Sequence, residues 1–280
     1  KELKPNSTIG IISPSYWLDD KMLKKTSKYF TDLGYNIILG SSNFLRYGPF
    51  AGTPQDRAKD IHEMFKNPKV DAIICARGGY GANKVLPLLD YDLIKNNPKI
   101  FLGYSDITAF LLSISQKTEL ITFHGPMLSS FEENFIDYNY LRMLKVLQLN
   151  NKRKIFSSPT SPVKVLKSGI GRGKIWGGNM TLLINRLGTP NALFTENTIL
   201  FLEDVNEYLY SFERNLIQMY ESKMLNNING LIIGELYNFK DEPVPFNKNT
   251  DEIVMDICNK LDIPIISNFP CGHGKYQCTL

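Results

Sequence analysis

The chain has 280 residues, with 32 Lys and Arg against 28 Asp and Glu, a formal charge of +4. That balance lacks the concentrated basic stripe of a nucleic-acid binder, and 43 % hydrophobic with 21 % charged residues excludes a disordered chain. No apolar run approaches the roughly 18 to 20 residues that span a bilayer, so a soluble globular protein of about two domains is expected, with no membrane span.

In chain order, residues 8–13 form a short apolar strand that Pro14 and Ser15 turn. Met22, Leu23, Tyr29, Phe30 and Leu33 recur at helical spacing over 20–33, and Gly34 stops that helix. A strand over 35–39 follows. Thr53-Pro54 then opens a helix over 53–66, with Ala58, Ile61, Met64 and Phe65 facing inward. Residues 70–76 read as a strand buried on both faces. A Gly-rich turn and a helix lead to a strand over 100–103 and a helix over 106–116. Strand and helix alternating at this pace predict a parallel sheet with right-handed crossovers.

The composition changes in N-K-R-K-I-F-S-S-P-T-S-P, which has two prolines, clustered serines and basic residues. It reads as an interdomain linker over 151–167, separating domains at 1–150 and 168–280. Beyond it, the Gly-rich segment 174–179 leads into a helix over 180–187, and strands over 198–202 and 230–234 flank a helix over 210–225. Two α/β domains fit.

The cysteines, Cys75, Cys258, Cys271 and Cys278, are too few for a disulfide framework and lack zinc spacing. Cys75 lies in an apolar run as a small buried hydrophobe. Cys271 and Cys278 are in reach of a cross-link under oxidising conditions, but reduced thiols in a cytoplasmic protein are expected. The N-terminus as given carries no secretory signal; it begins at Lys1 without Met, which leaves a trimmed targeting segment open.

There are three histidines. His62 sits among Asp60, Glu63 and Lys66 in an amphipathic helix, as a solvated surface residue. His124 follows a strand over 120–123 and precedes Gly125-Pro126, at a strand end. His273 lies between Gly272 and Gly274, where the backbone is free and the imidazole unobstructed, as a mobile general base requires; a loop histidine held by a backbone bond is the alternative.

Ser105, in F-L-G-Y-S-D-I-T, stands at the carboxyl end of a buried strand and the start of a helix, the setting of a nucleophile elbow. Its oxygen would project above the sheet, with the helix N-terminus aiming N–H groups at an oxyanion. The competing reading makes Ser105 the N-cap of that helix. I-L-F-L-E-D is an apolar strand ending in two carboxylates, either able to orient an imidazole. With Glu203, the order Ser105, Glu203, His273 is that of α/β-hydrolase triads; Asp204 competes, as does a capping role or a pairing with Arg214. The turn C-A-R-G-G-Y-G suits a phosphate or a second oxyanion donor, with Arg77 available for a substrate carboxylate.

Together these segments resemble the LD-carboxypeptidases, serine peptidase family S66, which also contains the microcin C immunity hydrolases. The resemblance spans essentially the whole chain. It rests on A-R-G-G-Y-G at 76–81, L-P-L-L-D-Y-D at 86–92, G-Y-S-D-I-T at 103–108 and T-F-H-G-P-M at 122–127. I-W-G-G-N at 175–179, F-L-E-D at 201–204 and G-H-G at 272–274 complete it. The resemblance implies a Rossmann-like N-terminal domain carrying the nucleophile Ser105 and a smaller C-terminal α/β domain carrying the acid Glu203 and the base His273, usually in a homodimer.

It further implies hydrolysis, through an acyl-enzyme, of the L-to-D amide that releases terminal D-Ala from a murein tetrapeptide. The backbone N–H groups of Asp106 and Gly79 would bind the oxyanion, Arg77, Gly78 and Tyr104 are candidate substrate contacts, and no metal or organic cofactor is required. The immunity branch, acting on aminoacyl-nucleotide adducts, tends to carry extra tryptophans, whereas this chain has Trp17 and Trp176 alone. A non-catalytic α/β protein gripping a ligand on Gly78-Gly79 is a more distant alternative. A cysteine-dependent glutaminase is disfavoured because Cys75 precedes the glycine turn.

Overall fold

The computed structural model describes residues 2–131, 135–148 and 162–280. The chain divides into two units, Lys1–Lys154 with Cys278–Leu280, and Ile155–Gln277. The first runs β1 (Thr8–Ile12), α1 (Asp20–Asp32), β2 (Asn36–Leu39), α2 (Pro54–Lys66), β3 (Ala72–Cys75), α3 (Ala82–Val85), α4 (Tyr91–Asn96), β4 (Ile100–Gly103), α5 (Thr108–Thr118), β5 (Phe123–His124) and α6 (Asp137–Leu147).

Its five strands pair in parallel in the order β2-β1-β3-β4-β5. Every residue of β3 and β4 is buried, as continuous apolar strands covered on both faces must be. Asp19 caps α1 by accepting from the N–H groups of Lys21 and Met22, and Thr53 and Asp56 form a capping box behind Pro54 on α2. Leu23 and Phe30 of α1 join Ile9, Ile74, Leu102, Phe131 and Met143 in one apolar core. The strand order reverses between β1 and β3, and in open α/β sheets the crevice at the carboxyl ends beside such a reversal takes the ligand. The segments 13–15, 76–79 and 104–106 leave the sheet at that end.

The last residues belong to this unit. Leu280 and His124 exchange backbone hydrogen bonds of 2.9 Å in both directions. The domain read as 168–280 therefore gives up its final residues to the sheet of the first.

The second unit runs β6 (Lys164–Lys167), β7 (Lys174–Asn179), α7 (Met180–Ile184), β8 (Thr198–Val205), α8 (Leu209–Glu221), β9 (Gly230–Tyr237), α9 (Thr250–Cys258) and β10 (Ile265–Ser267). Its sheet is mixed, in the order β6-β10-β9-β8-β7, with β6 antiparallel to β10 and the other pairs parallel. The fold class is α/β in both units.

Other readings change as well: the helix expected over 180–187 ends at Ile184, and the strand expected over 198–202 runs on to Val205. The segment 164–167, taken as the end of the linker, is the edge strand β6; the rest of that linker through 161 lies outside the described residues. The Gly-rich segment 174–179, to which the sequence assigns no element, is the strand β7, in which Gly177 lies so close to β8 that a Cβ would fall 1.8 Å from the Phe201 carbonyl oxygen. The helix expected to 225 ends at Glu221, because Lys223 takes a left-handed conformation with φ of 65°.

Candidate active site

In the first unit, β4 ends at Gly103 because Tyr104 leaves the sheet in an extended conformation and Ser105 turns back with φ of 61°. A serine at positive φ is held in a sparsely populated region, as the sharp strand-to-helix turn of a nucleophile elbow requires. Ser105 opens a 3-10 turn, Ser105–Ile107, that runs into α5. The N-cap position of α5 is Ile107 and no side chain caps it, so Ser105 is not used as a helix cap.

The glycine turn after β3 lies against this serine. A Cβ on Gly78 would stand 2.9 Å from the Ser105 Cβ, whereas one on Gly79, at φ of 119°, would enter the Tyr16 ring at 2.4 Å. Gly78 thus brings the turn against the serine, and Gly79 lets Tyr16 cover it. Arg77 is half-buried, its guanidinium stacked over Tyr16 at 5.7 Å and weakly bonded to the Trp17 carbonyl at 3.5 Å. Tyr104 is buried, its hydroxyl 3.4 Å from Ser130 Oγ and its ring 6.0 Å from that of His124.

The Asp106 side chain points down into the unit, 2 % exposed. It accepts from Ser15 Oγ at 2.5 Å and from the Ala82 N–H at 3.0 Å, tying the turns after β1 and β3 to the serine turn. Burial raises its carboxyl above the usual range, against the opposing pull of Ser15, Ala82, the Arg57 charge and Gly81. Arg57 is itself 1 % exposed and bonds the carbonyls of Pro14 at 2.8 Å and Gly81 at 3.3 Å. Its burial lowers its pKa, with Asp106 as the counter-charge. Sequence reading passed over Arg57, which sits among polar neighbours in α2.

In the second unit, Glu203 is fully buried on β8, opposite Asn179 of β7, where the register between β8 and β9 shifts. Its Oε2 lies 2.7 Å from His273 Nδ1. With Glu203 ionised, Nδ1 donates this bond and Nε2 is left as the proton acceptor. Burial raises the Glu203 carboxyl, while the bond to His273 and the contact with Asn179 oppose the rise. Burial also works against the charged imidazole, but Glu203, Asp204 and Glu235 outweigh it, so the His273 pKa is raised.

Asp204, the competing acid, is committed elsewhere. It accepts from Asn179 Nδ2 at 2.8 Å and from the Thr181 N–H and hydroxyl at 2.9 and 2.8 Å, which fixes the start of α7. Arg214 bonds Ser211, not Asp204. His62 corrects its surface reading: it is half-buried and its Nε2 accepts the Asp90 N–H at 2.9 Å, joining α2 to the start of α4. Burial lowers its pKa. All four cysteines are buried and none is in a disulfide, and burial raises the Cys75 thiol far above its ordinary value.

The model of the LD-carboxypeptidase N-terminal domain matches residues 9–125, and that of the C-terminal domain matches residues 172–280. The chain belongs to the LD-carboxypeptidase family. It is 33 % identical to a probable murein peptide carboxypeptidase of Bacillus subtilis, over 98 % of this chain and 86 % of the relative. The muramoyltetrapeptide carboxypeptidase of Oxalobacter formigenes superposes with a TM-score of 0.84 at 29 % identity, covering 98 % of this chain and 92 % of that one. The microcin C7 self-immunity protein MccF of Escherichia coli is 30 % identical over 87 % of this chain and 77 % of its own length. Its ligand-free structure superposes with a TM-score of 0.90 over 100 % of this chain and 92 % of that chain. As an LD-carboxypeptidase family member the chain is a hydrolase of the serine type. Among the described residues, no helix is long and apolar enough to cross a membrane.

Proposed function

We propose that this LD-carboxypeptidase releases terminal D-Ala from murein tetrapeptides by cleaving the L-to-D amide bond, with Ser105, Glu203 and His273 as its catalytic triad. The observation that carries the reading is the 2.7 Å bond between fully buried Glu203 and His273 Nδ1, which leaves Nε2 as the base. The left-handed turn at Ser105 supports the nucleophile, and the likeness to murein peptide carboxypeptidases supports the substrate.

Ser105 Oγ attacks the carbonyl of the diamino acid that precedes D-Ala, and its proton passes to His273 Nε2. The backbone N–H groups of Asp106 and Gly79 bind the oxyanion, each such donor being worth about 10² to 10³ in turnover. The C–N bond then breaks and the departing amine of D-Ala takes the proton from His273. Water attacks the resulting ester, its proton moves to His273 and on to Ser105, and the shortened peptide leaves as its carboxylate. Glu203 holds the imidazole tautomer throughout. Arg77, Gly78 and Tyr104 contribute to the substrate site, in a cytoplasmic homodimer.

Incubating the protein with a defined tetrapeptide and weighing the products by mass spectrometry tests this reading: tripeptide and free D-Ala should form, and the Ser105→Ala variant should form neither. The likeness to MccF favours one second reading, hydrolysis of an aminoacyl-nucleotide adduct. Faster cleavage of an aminoacyl-adenylate mimic than of any tetrapeptide would decide for it.

A further inference from the structure

The two glycines beside His273 are explained by one residue that the mechanism above does not use. Glu235, near the end of β9, grips the G-H-G loop on both sides of the histidine. Its backbone N–H donates to the Cys271 carbonyl at 2.9 Å, and its Oε2 accepts the Gly274 N–H at 2.8 Å. A Cβ on Gly274 would fall 2.1 Å from that same Oε2, so only glycine lets the loop reach the carboxylate. At Gly272, with φ of 151°, a Cβ would press on the Glu235 carbonyl oxygen at 3.0 Å and on the Glu203 Cβ at 3.3 Å. Gly234, just before Glu235, is bare for the matching reason: a Cβ there would lie 2.4 Å from the Cys271 carbonyl oxygen. These glycines serve close approach to β9 rather than free movement of the imidazole.

We propose that Glu235 is a positioning residue for the base, clamping the loop that carries His273 and holding a second carboxylate beside the imidazole. This rests on His273 being the base in the reading above. Among the described residues, the charged groups that act on His273 include Glu203 and Asp204 on β8 and Glu235 on β9, with Lys275 and Tyr276 following it in its own loop. β7 supplies the neutral Asn179 beside Glu203. Glu203 is bonded to Nδ1 and sets the tautomer, and Asp204 is occupied at the start of α7. Glu235 alone among these carboxylates holds the backbone of the histidine's loop. Its own carboxyl is raised by burial, against the opposing bond from Gly274. A carboxylate close to an imidazole favours the imidazolium form, which the base adopts as it takes the serine proton.

Glu235→Gln separates the two roles, because the amide oxygen can still accept from Gly274 while the charge is gone. With three imidazoles in the chain, His273 can be followed by nitrogen-resolved NMR and assigned by its loss in a His273→Gln variant. In Glu235→Gln the His273 pKa should fall by about half a unit or more, and the acid limb of kcat/KM should move down by the same amount. Glu235→Ala, which also releases the loop, should lose about ten- to a hundredfold in kcat with little change in KM. Glu235→Asp, which restores the charge, should bring the His273 titration back toward wild type. A His273 titration that is the same in wild type and Glu235→Gln overturns the proposal, whatever the variants do to thermal stability. If the wild-type protein fails to cleave the tetrapeptide, the functional reading falls while the NMR titration still decides the role of Glu235.

Discussion

Gly78 and Ser105 are packed so closely that a Cβ on the glycine would lie 2.9 Å from the serine Cβ, 3.0 Å from its Oγ and 3.4 Å from the Asp106 nitrogen. The last two are the atoms proposed to attack the carbonyl and to bind the oxyanion. Gly78→Ala should therefore displace the serine hydroxyl and narrow the space for the tetrahedral intermediate. Overpacking of this kind costs about 1 to 3 kcal/mol of stability, and misplacing a reacting group by about 1 Å costs on the order of 10² in rate. Steady-state kinetics on protein shown to be folded by circular dichroism checks this. Wild-type turnover in Gly78→Ala would show that the glycine turn does not approach the reacting serine.

Removing the proposed triad one member at a time should give a definite ranking. Ser105→Ala should fold normally and lose about 10⁶ in turnover, His273→Ala a comparable amount, and Glu203→Ala somewhat less, because nucleophile and base act as a unit. His124→Ala is the control. His124 is buried beside Tyr104 and its backbone pairs with Leu280, so its loss should disturb packing more than chemistry. Retained activity in His273→Ala together with its abolition in His124→Ala would reassign the base.

The residues that sequence reading singled out share a local signal. Ser105 lies just beyond the apolar strand β4, and Glu203 directly follows the apolar run 199–202 within β8, so the sheet imposes a direction on each. His273 is flagged by the glycines beside it. Arg57 and Glu235 carry no such signal. Arg57 stands in P-Q-D-R-A-K-D, where it looks like any solvated helix residue, and its burial is created by Pro14, Gly81 and Phe50 from distant parts of the chain. Glu235 lies in G-E-L-Y, and its partner is Gly274, 39 residues on. Gly177 of β7 carries no strand signal in the sequence, yet it serves the close approach of two strand backbones.

The pH dependence follows from the sign of the His273 shift. As the proposed base, His273 must be neutral to accept the serine proton, so kcat/KM should rise with pH through its pKa. Burial opposes the charged form, but Glu203, Asp204 and Glu235 together raise the pKa above the ordinary 6.5. The midpoint of the rising limb should lie above 6.5, and in Glu203→Gln both midpoint and plateau should fall. The same shift is a stability statement. The folded state binds this proton more tightly, so the contribution is complete below the unfolded value of about 6.5 and is lost as pH rises through the folded pKa. The stability difference between wild type and His273→Ala, measured by urea denaturation across that window, should therefore shrink as pH increases. A pH-independent difference would show that the imidazole is not held in its charged form.

Asp106 joins stability to chemistry. Its carboxylate is the counter-charge of buried Arg57, and it also accepts from Ser15 and from the N–H of Ala82 at the start of α3. Asp106→Ala removes a nearby negative charge from buried Arg57 and leaves the buried donors of Ser15 and Ala82 without their acceptor, which together cost on the order of 3 to 5 kcal/mol. For a unit of this size the melting temperature should fall by at least about 6 °C. Replacing Arg57 and Asp106 together with apolar residues should recover much of that loss in Tm without restoring activity. An unchanged melting temperature in Asp106→Ala would show that the pair is solvated and makes no net contribution.

The stereochemistry of the released residue gives the most direct test of the substrate. A carboxypeptidase acting at an L-to-D junction must read together the terminal carboxylate, the D-methyl group and the L-centre of the acyl residue. Arg77 lies in the turn that packs against Ser105, and its guanidinium is half-buried over Tyr16, so it is placed to meet that carboxylate under the proposed mechanism. Exchanging D-Ala for L-Ala swaps methyl and hydrogen at the terminal carbon, which drives the methyl into the wall or pulls the carboxylate off its partner. A charge-assisted hydrogen bond is worth roughly 1.5 to 3 kcal/mol, or about 10- to 150-fold in rate. The tetrapeptide ending in D-Ala should be preferred over the L-Ala peptide by at least about tenfold in kcat/KM, and amidating the terminal carboxylate should be at least as harmful. Arg77→Ala should remove most of the penalty for amidation while lowering kcat/KM on the free acid. Equal rates on the D-Ala, L-Ala and amidated peptides would refute the carboxypeptidase reading, because an enzyme that does not sense the terminal carboxylate cannot be selecting the end of the chain.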